Sequence, residues 1–158
     1  MEACFCAEMP SLITETRVHI ISHHREIERA SATAPILERA LREATWVVRD
    51  PAAEIELPHD PERRHWLLWP DAPPITQAEA HQGPSITLVV PDGSWQQARR
   101  LRKRMNTGAL ELRSLPSGAR TQFHLRTAPP DPNRLCTLEA VARALGIIEG
   151  HAVEDALL

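Results

Sequence analysis

The chain has 158 residues, enough for one domain with a substantial core and too few for two. Hydrophobic residues make up 42% of it, and no apolar stretch approaches the roughly 20 residues of a bilayer-spanning helix, which excludes both a disordered chain and such a helix. A net charge of −3 excludes a molecule that is cationic throughout, so any attraction for nucleic acid must come from a local cluster.

At the N-terminus, Met1-Glu2-Ala3-Cys4-Phe5-Cys6 lacks the basic and apolar regions of a secretory signal, and a cytoplasmic location is expected. Three cysteines, Cys4, Cys6 and Cys136, make no even disulfide framework. Cys4-x-Cys6 offers two of the four ligands that a structural zinc site usually needs, and no second close pair follows. No metal site is expected, and Cys136 reads as a small buried hydrophobe.

Thr16 to Ser22 is rich in β-branched residues and predicts an early buried strand, followed by the polar group His23, His24, Arg25 and Glu26. The two adjacent histidines, read as an extended segment, are expected to point in opposite directions. Pro35 to Ala44 predicts a helix with proline in its first turn and Ile36, Leu37, Ala40, Leu41 and Ala44 on one face. Trp46 to Val48 predicts a second strand, Asp50 to Arg64 a surface loop, and Trp66 to Trp69 a third strand. Thr76 to His81 reads as a short helical turn, and Ile86 to Val90 as the clearest strand. Gln96 to Met105 is helical in pattern, and Leu110 to Leu115 and Phe123 to Arg126 are weaker strand candidates. Thr137 reads as the N-cap of a last helix, with Glu139 near its positive end and Leu138, Val141, Ala142, Leu145 and Ile148 as its core stripe. Strands alternating with helices predict an α/β domain with a mostly parallel sheet flanked by helices.

Two stretches carry candidate chemistry. Asp92-Gly93-Ser94-Trp95 follows the clearest strand directly, and open α/β sheets bind ligands beyond the carboxyl ends of their strands. A carboxylate there can accept a proton or bind an ammonium or hydroxyl group, and the indole can stack on a heterocycle. An alternative reading is equally open: Asp92 and Ser94 cap the next helix while Trp95 fills the core. The second stretch, Arg99-Arg100-Leu101-Arg102-Lys103-Arg104, puts five cations in six residues, a pattern suited to phosphates. No phosphate-cradling glycine loop and no serine-hydrolase elbow is present.

Several separated motifs resemble one family, the DTW-domain proteins. Asp92-Gly93-Ser94-Trp95-Gln96-Gln97-Ala98-Arg99 resembles the signature that names it, with serine for the usual threonine. Cys4-x-Cys6 is similar to the second half of its N-terminal cysteine cluster, and His23 to Thr33 to its H-P-x-E stretch leading into N-T-G. Leu67-Leu68-Trp69-Pro70 resembles its L-L-Y/F-P strand end, and Thr137-Leu138-Glu139-Ala140-Val141-Ala142 its T-L-E-A-V helix start. The chain departs from the pattern at Ala32-Thr33-Ala34, in place of N-T-G, and at His23-His24-Arg25-Glu26, which lacks the proline. On this resemblance residues 1–158 form a single DTW domain, with 1–12 as the remnant of the cysteine cluster.

The resemblance implies a SPOUT-like domain with a C-terminal trefoil knot and the activity of a tRNA-uridine aminocarboxypropyltransferase. S-adenosylmethionine would donate its 3-amino-3-carboxypropyl group to uridine N3, and tRNA would be the partner. Asp92 would be the general base or would hold a substrate. Thr33, Gly93, Ser94 and Trp95 would shape the cofactor pocket, and the turns at Leu115-Pro116 and from Leu135 to Thr137 would hold adenine and ribose. Arg99, Arg100, Arg102, Lys103 and Arg104 would contact tRNA phosphates, positioning without specifying. Two alternatives stay open: a methyltransferase using the same cofactor, and a non-catalytic RNA-binding protein, which Ala32 and Ala34 favour. Oligomeric state is not legible.

Overall fold

A computed structural model describes residues 9–29, 32–49, 54–105, 107–118, 120–122 and 135–158. Five strands, β1 (Arg17–His23), β2 (Ala44–Arg49), β3 (Arg64–Leu68), β4 (Ile86–Asp92) and β5 (Glu111–Arg113), form one sheet in the order β2-β1-β4-β3-β5. Every pairing between them is parallel. β4 lies at the centre, and its near-continuous apolar run Ile86 to Val90 suits a strand covered on both faces.

The helices are α1 (Ala34–Ala40), α2 (Gln77–Ala80), α3 (Trp95–Arg104), α4 (Thr137–Glu149) and α5 (His151–Leu157). Side chains alternate between the two faces of each strand, and this divides the core in two. Val18 and Ile20 of β1 and Ile86, Leu88 and Val90 of β4 pack with α1, α2 and α4. Ile21 and Val89 face the other way and pack with Leu101 of α3, Met105 and Leu110. Among the described residues no helix is long and apolar enough to cross a membrane.

Among the described residues the expected elements are present, with instructive differences. α1 starts one residue before Pro35 and stops at Ala40, because Leu41 is already extended and bridges to Leu12. Ala44, expected at the end of that helix, instead pairs with Val18 as the first residue of β2. The strand expected from Leu110 to Leu115 shrinks to Glu111–Arg113, since Leu110 turns into the core and Ser114 bridges to Pro74. Phe123 to Arg126 and the path of residues 123–134, on which the expected knot depends, lie outside the described residues. Cys4 and Cys6 lie outside them as well.

The start of α4 corrects the expected cap. Cys136, not Thr137, is the N-cap: its Sγ accepts from the Glu139 N–H at 3.4 Å, while the Glu139 carboxylate accepts from the Cys136 N–H at 2.9 Å. This is a capping box with cysteine in the place of serine. Glu139 is fully buried and also accepts from the Gln122 N–H at 2.5 Å and the Thr121 hydroxyl at 2.9 Å. Burial pushes its pKa up, but the backbone donors of Cys136 and Gln122 and the Thr121 hydroxyl outweigh this and leave it below the ordinary glutamate value. A carboxylate whose folded pKa is depressed adds stability above its unfolded pKa, and that stability is lost as pH falls through the folded value. Glu139→Gln will therefore lower stability at neutral pH by about 2 kcal/mol. It will also flatten the acid limb of stability against pH, as read by urea denaturation between neutral pH and the acid range; an unchanged acid limb would refute the assignment.

Candidate active site at the sheet switch point

The strand order creates a switch point. The crossover after β1 leads outward to β2, whereas the one after β4 leads past β3 to β5, so a crevice opens where β1 and β4 end side by side. Ser22 and Asp92 are register partners at that place. Asp92 is buried, and both of its carboxylate oxygens are held. The Ser22 hydroxyl donates to Oδ2 at 2.5 Å and the Thr137 hydroxyl donates to Oδ1. The Trp46 indole N–H donates in turn to Ser22 Oγ at 2.8 Å. A chain of hydrogen bonds thus joins β2, β1, β4 and the first turn of α4.

The turn after Asp92 bears out only part of the cap-and-core reading. Ser94, not Asp92, caps α3: its Oγ accepts from the Gln97 N–H at 3.4 Å, and the Gln97 side chain accepts from the Ser94 N–H at 2.6 Å. Gly93 has φ +147, and a Cβ there would lie 3.0 Å from both Cβ and Oε1 of Gln97. The positive φ favours glycine, and a side chain there would also press on Gln97. Trp95 does not fill the core. It is 38% exposed and meets the edge of Trp69, ring centroids 6.1 Å apart and nearly perpendicular.

The other cofactor-site candidates border the same end of the sheet. Thr33 is buried in the segment leading to α1, and its hydroxyl accepts from the Leu138 N–H at 3.2 Å, tying that segment to α4. Leu115, one residue beyond the Ser114 bridge, packs against the core cluster that contains Cys136 and Leu138. Pro116 is exposed and Leu135 half-buried. Thr137 contributes its hydroxyl to Asp92 rather than capping the helix.

On the α3 side the structure forms two adjoining cavities of about 280 Å³ each. One is lined by His23, His24, Arg25, Ser94, Gln96, Gln97 and Arg100. The other is lined by His23, Arg49, Leu101 and three α3 cations, Arg100, Lys103 and Arg104. Of the remaining α3 cations, Arg102 lies over the Trp69 ring at 4.7 Å and Arg99 borders neither cavity. Sequence reasoning missed Arg49 and the Ser22–Trp46 pair. Their only signal is the β1–β2 register, which sets Arg49 opposite His23 and Val48 opposite Ser22.

The histidines also differ from expectation. The chain leaves its extended path after His23 and enters a 3₁₀ turn, His24–Glu26, so the two rings lie 4.2 Å apart instead of on opposite sides. His23 Nδ1 accepts from the Arg25 N–H at 3.3 Å and from the Gln97 amide at 3.4 Å, which leaves the ring proton on Nε2 in the neutral form.

The sequence profile of the DTW domain matches residues 1–158. No curated protein sequence matches significantly. The fold is similar to that of the structure titled as the SAM-dependent rRNA:acp-transferase Tsr3 from Vulcanisaeta distributa. The TM-score is 0.60 and the identity 23%, over 90% of this chain and 71% of that one. At that identity the likeness speaks for the α/β architecture.

His23 supplies a readout of the cavities. Burial, followed by the positive fields of His24, Arg25, Arg100 and Arg49, lowers its pKa from the ordinary histidine value. In an NMR titration the His23 ring will protonate below the normal range, and Arg100→Gln will move the midpoint upward without restoring it fully. A midpoint unmoved by that change would show that Arg100 does not face the ring.

Proposed function

Because this chain belongs to the DTW domain family, we propose that it transfers the 3-amino-3-carboxypropyl group of S-adenosylmethionine to N3 of a uridine in RNA. The resemblance points to a cytoplasmic tRNA as acceptor, while the structural neighbour is titled as an enzyme acting on rRNA. The observation that carries the reading is Asp92: a buried carboxylate at the switch point, fixed by two hydroxyls and followed directly by the glycine turn and the exposed indole.

The reaction has simple requirements. Uridine N3 attacks the methylene next to the sulfonium, a C–N bond forms, and the C–S pair goes to sulfur, releasing neutral 5′-methylthioadenosine. The N3 proton must leave at the same time. Asp92 takes it in this reading, because each carboxylate oxygen that accepts from Ser22 or Thr137 keeps a second lone pair. The charge left by proton transfer is small, since a carboxylate is neutralised as the sulfonium is consumed.

In this reading the donor lies on the α4 side of the sheet end, with Thr33, Leu115, Pro116, Leu135 and Thr137 as its candidate contacts; the Thr33 hydroxyl ties that region to α4 and the Thr137 hydroxyl ties it to Asp92. Trp95, with Gly93 and Ser94 setting its position, offers a ring face for stacking on a heterocycle. The cations of α3, Arg99, Arg100, Arg102, Lys103 and Arg104, lie on the opposite side and supply phosphate contacts. Asp92 stands between the two layers.

Two experiments test this. Incubation with S-adenosylmethionine and unmodified RNA will release 5′-methylthioadenosine; S-adenosylhomocysteine as product would make the protein a methyltransferase, and no donor binding by calorimetry would make it a non-catalytic RNA-binding protein. Asp92→Asn will lower kcat by about 100-fold or more while donor affinity stays within a few-fold. A parallel loss of donor affinity would make Asp92 a binding residue instead.

A further inference from the structure

Between the 3₁₀ turn after β1 and the start of α3 lies a cleft of about 280 Å³ whose lining is mostly polar. Its acceptors are engaged within the site. Nδ1 of His23 accepts from the Arg25 N–H and the Gln97 amide, Oε1 of Gln97 accepts from the Ser94 N–H, and Oγ of Ser94 accepts from the Gln97 N–H. What these residues keep for a ligand is hydrogen: the Nε2–H of neutral His23, the hydroxyl proton of Ser94 and the second amide N–H of Gln97. Two guanidinium groups add charge to this donor set, Arg25 from the turn and Arg100 from the second turn of α3. Both are exposed, and among the described residues neither pairs with a carboxylate. No carboxylate lines the cleft, and Glu26, next in the turn, is buried and paired with Arg29 at 3.3 Å. His23 responds to this surplus. After burial, its pKa is lowered by the positive fields of His24 and Arg25 from its own turn, Arg100 from α3 and Arg49 from β2. Spare donors and unpaired positive charge on two sides of one cleft are the chemistry of an oxyanion site.

We propose that the cleft between the turn at His24 and the start of α3 binds one oxyanion, held between Arg25 and Arg100 beside His23 and Ser94. The site itself goes beyond the transfer reading. Its occupant is a backbone phosphate of the acceptor RNA, an assignment that rests on the RNA-modifying reading above. The carboxylate of S-adenosylmethionine is the other available oxyanion, but the candidate donor contacts Thr33 and Thr137 lie at the start of α4, whereas His23 meets Gln97 of α3.

The test is an NMR titration of isotope-labelled histidine rings with inorganic phosphate, at constant pH and ionic strength and without donor or RNA. The His23 ring signals will move and saturate, while those of His151 on α5 stay in place. Saturating phosphate will also raise the His23 midpoint, because the anion offsets the fields of Arg25 and Arg100. Arg25→Gln and Arg100→Gln will each weaken phosphate binding by about tenfold. Arg99→Gln, which removes the same charge outside the cleft, will weaken it by less than about threefold, as a screened field effect. A His23 signal that does not saturate, an unmoved midpoint, or equal losses in the three variants would overturn the site. A competition then identifies the occupant: an oligouridylate of about 12 nucleotides will displace phosphate from His23, and S-adenosylmethionine will not. Displacement by S-adenosylmethionine alone, or by neither, would overturn the RNA assignment. No transfer step enters either titration, so the oxyanion site stands or falls on them even if the product assay returns S-adenosylhomocysteine.

Discussion

A buried carboxylate is tolerated only where its oxygens are hydrogen-bonded, and Asp92 obtains its partners from two distant parts of the chain. Satisfying it fixes much else. Ser22 must be opposite Asp92 in the β1–β4 register, Trp46 must reach Ser22 across β1 and β2, and α4 must begin where Thr137 meets β4. Sliding β4 by one residue would turn Asp92 to the α3 face and leave Ser22 and Thr137 without it. The polar chain thus acts as a register lock for the sheet and an anchor for α4. It also explains how one carboxylate can sit at the boundary between two faces of different character.

Much of this was legible from local pattern. β-branched runs marked β1 and β4, proline at the first turn marked α1, and the stripe Leu138, Val141, Ala142, Leu145 and Ile148 marked α4, all of it buried. What was lost depended on distance or on an unusual residue. Cys136 is outside the usual N-cap set, so the neighbouring threonine looked like the cap, although Glu139 three residues on already completed the box pattern. The stacked histidines required knowing that β1 ends at His23. Arg49 is an ordinary strand-end residue until the parallel pairing sets it beside His23. No local rule reports such a partnership.

The same distinction divides the signature turn. Gly93, Ser94 and Gln97 have physical reasons confined to a few residues: a positive φ, a cap and the return bond that closes it. Asp92 and Trp95 have reasons that lie elsewhere in the fold, in Ser22 and Thr137 for one and in Trp69 for the other. Half of the motif builds a corner, and the other half presents groups to what lies beside it. Arg102, held over Trp69, belongs with the corner more than with the other cations of its helix.

The separation of Asp92's partners in sequence has a bearing on how the molecule forms. Ser22 precedes Asp92 by 70 residues and Thr137 follows it by 45. β1, α1 and β2 can associate early as a compact unit, but the second edge of β1 stays open until β4 arrives, and parallel pairing over such spans is slow. The second partner of the carboxylate comes only with the start of α4. The geometry around Asp92 is therefore not a property of any N-terminal fragment, however well its strands pair, because one of its two partners comes from the chain after β4.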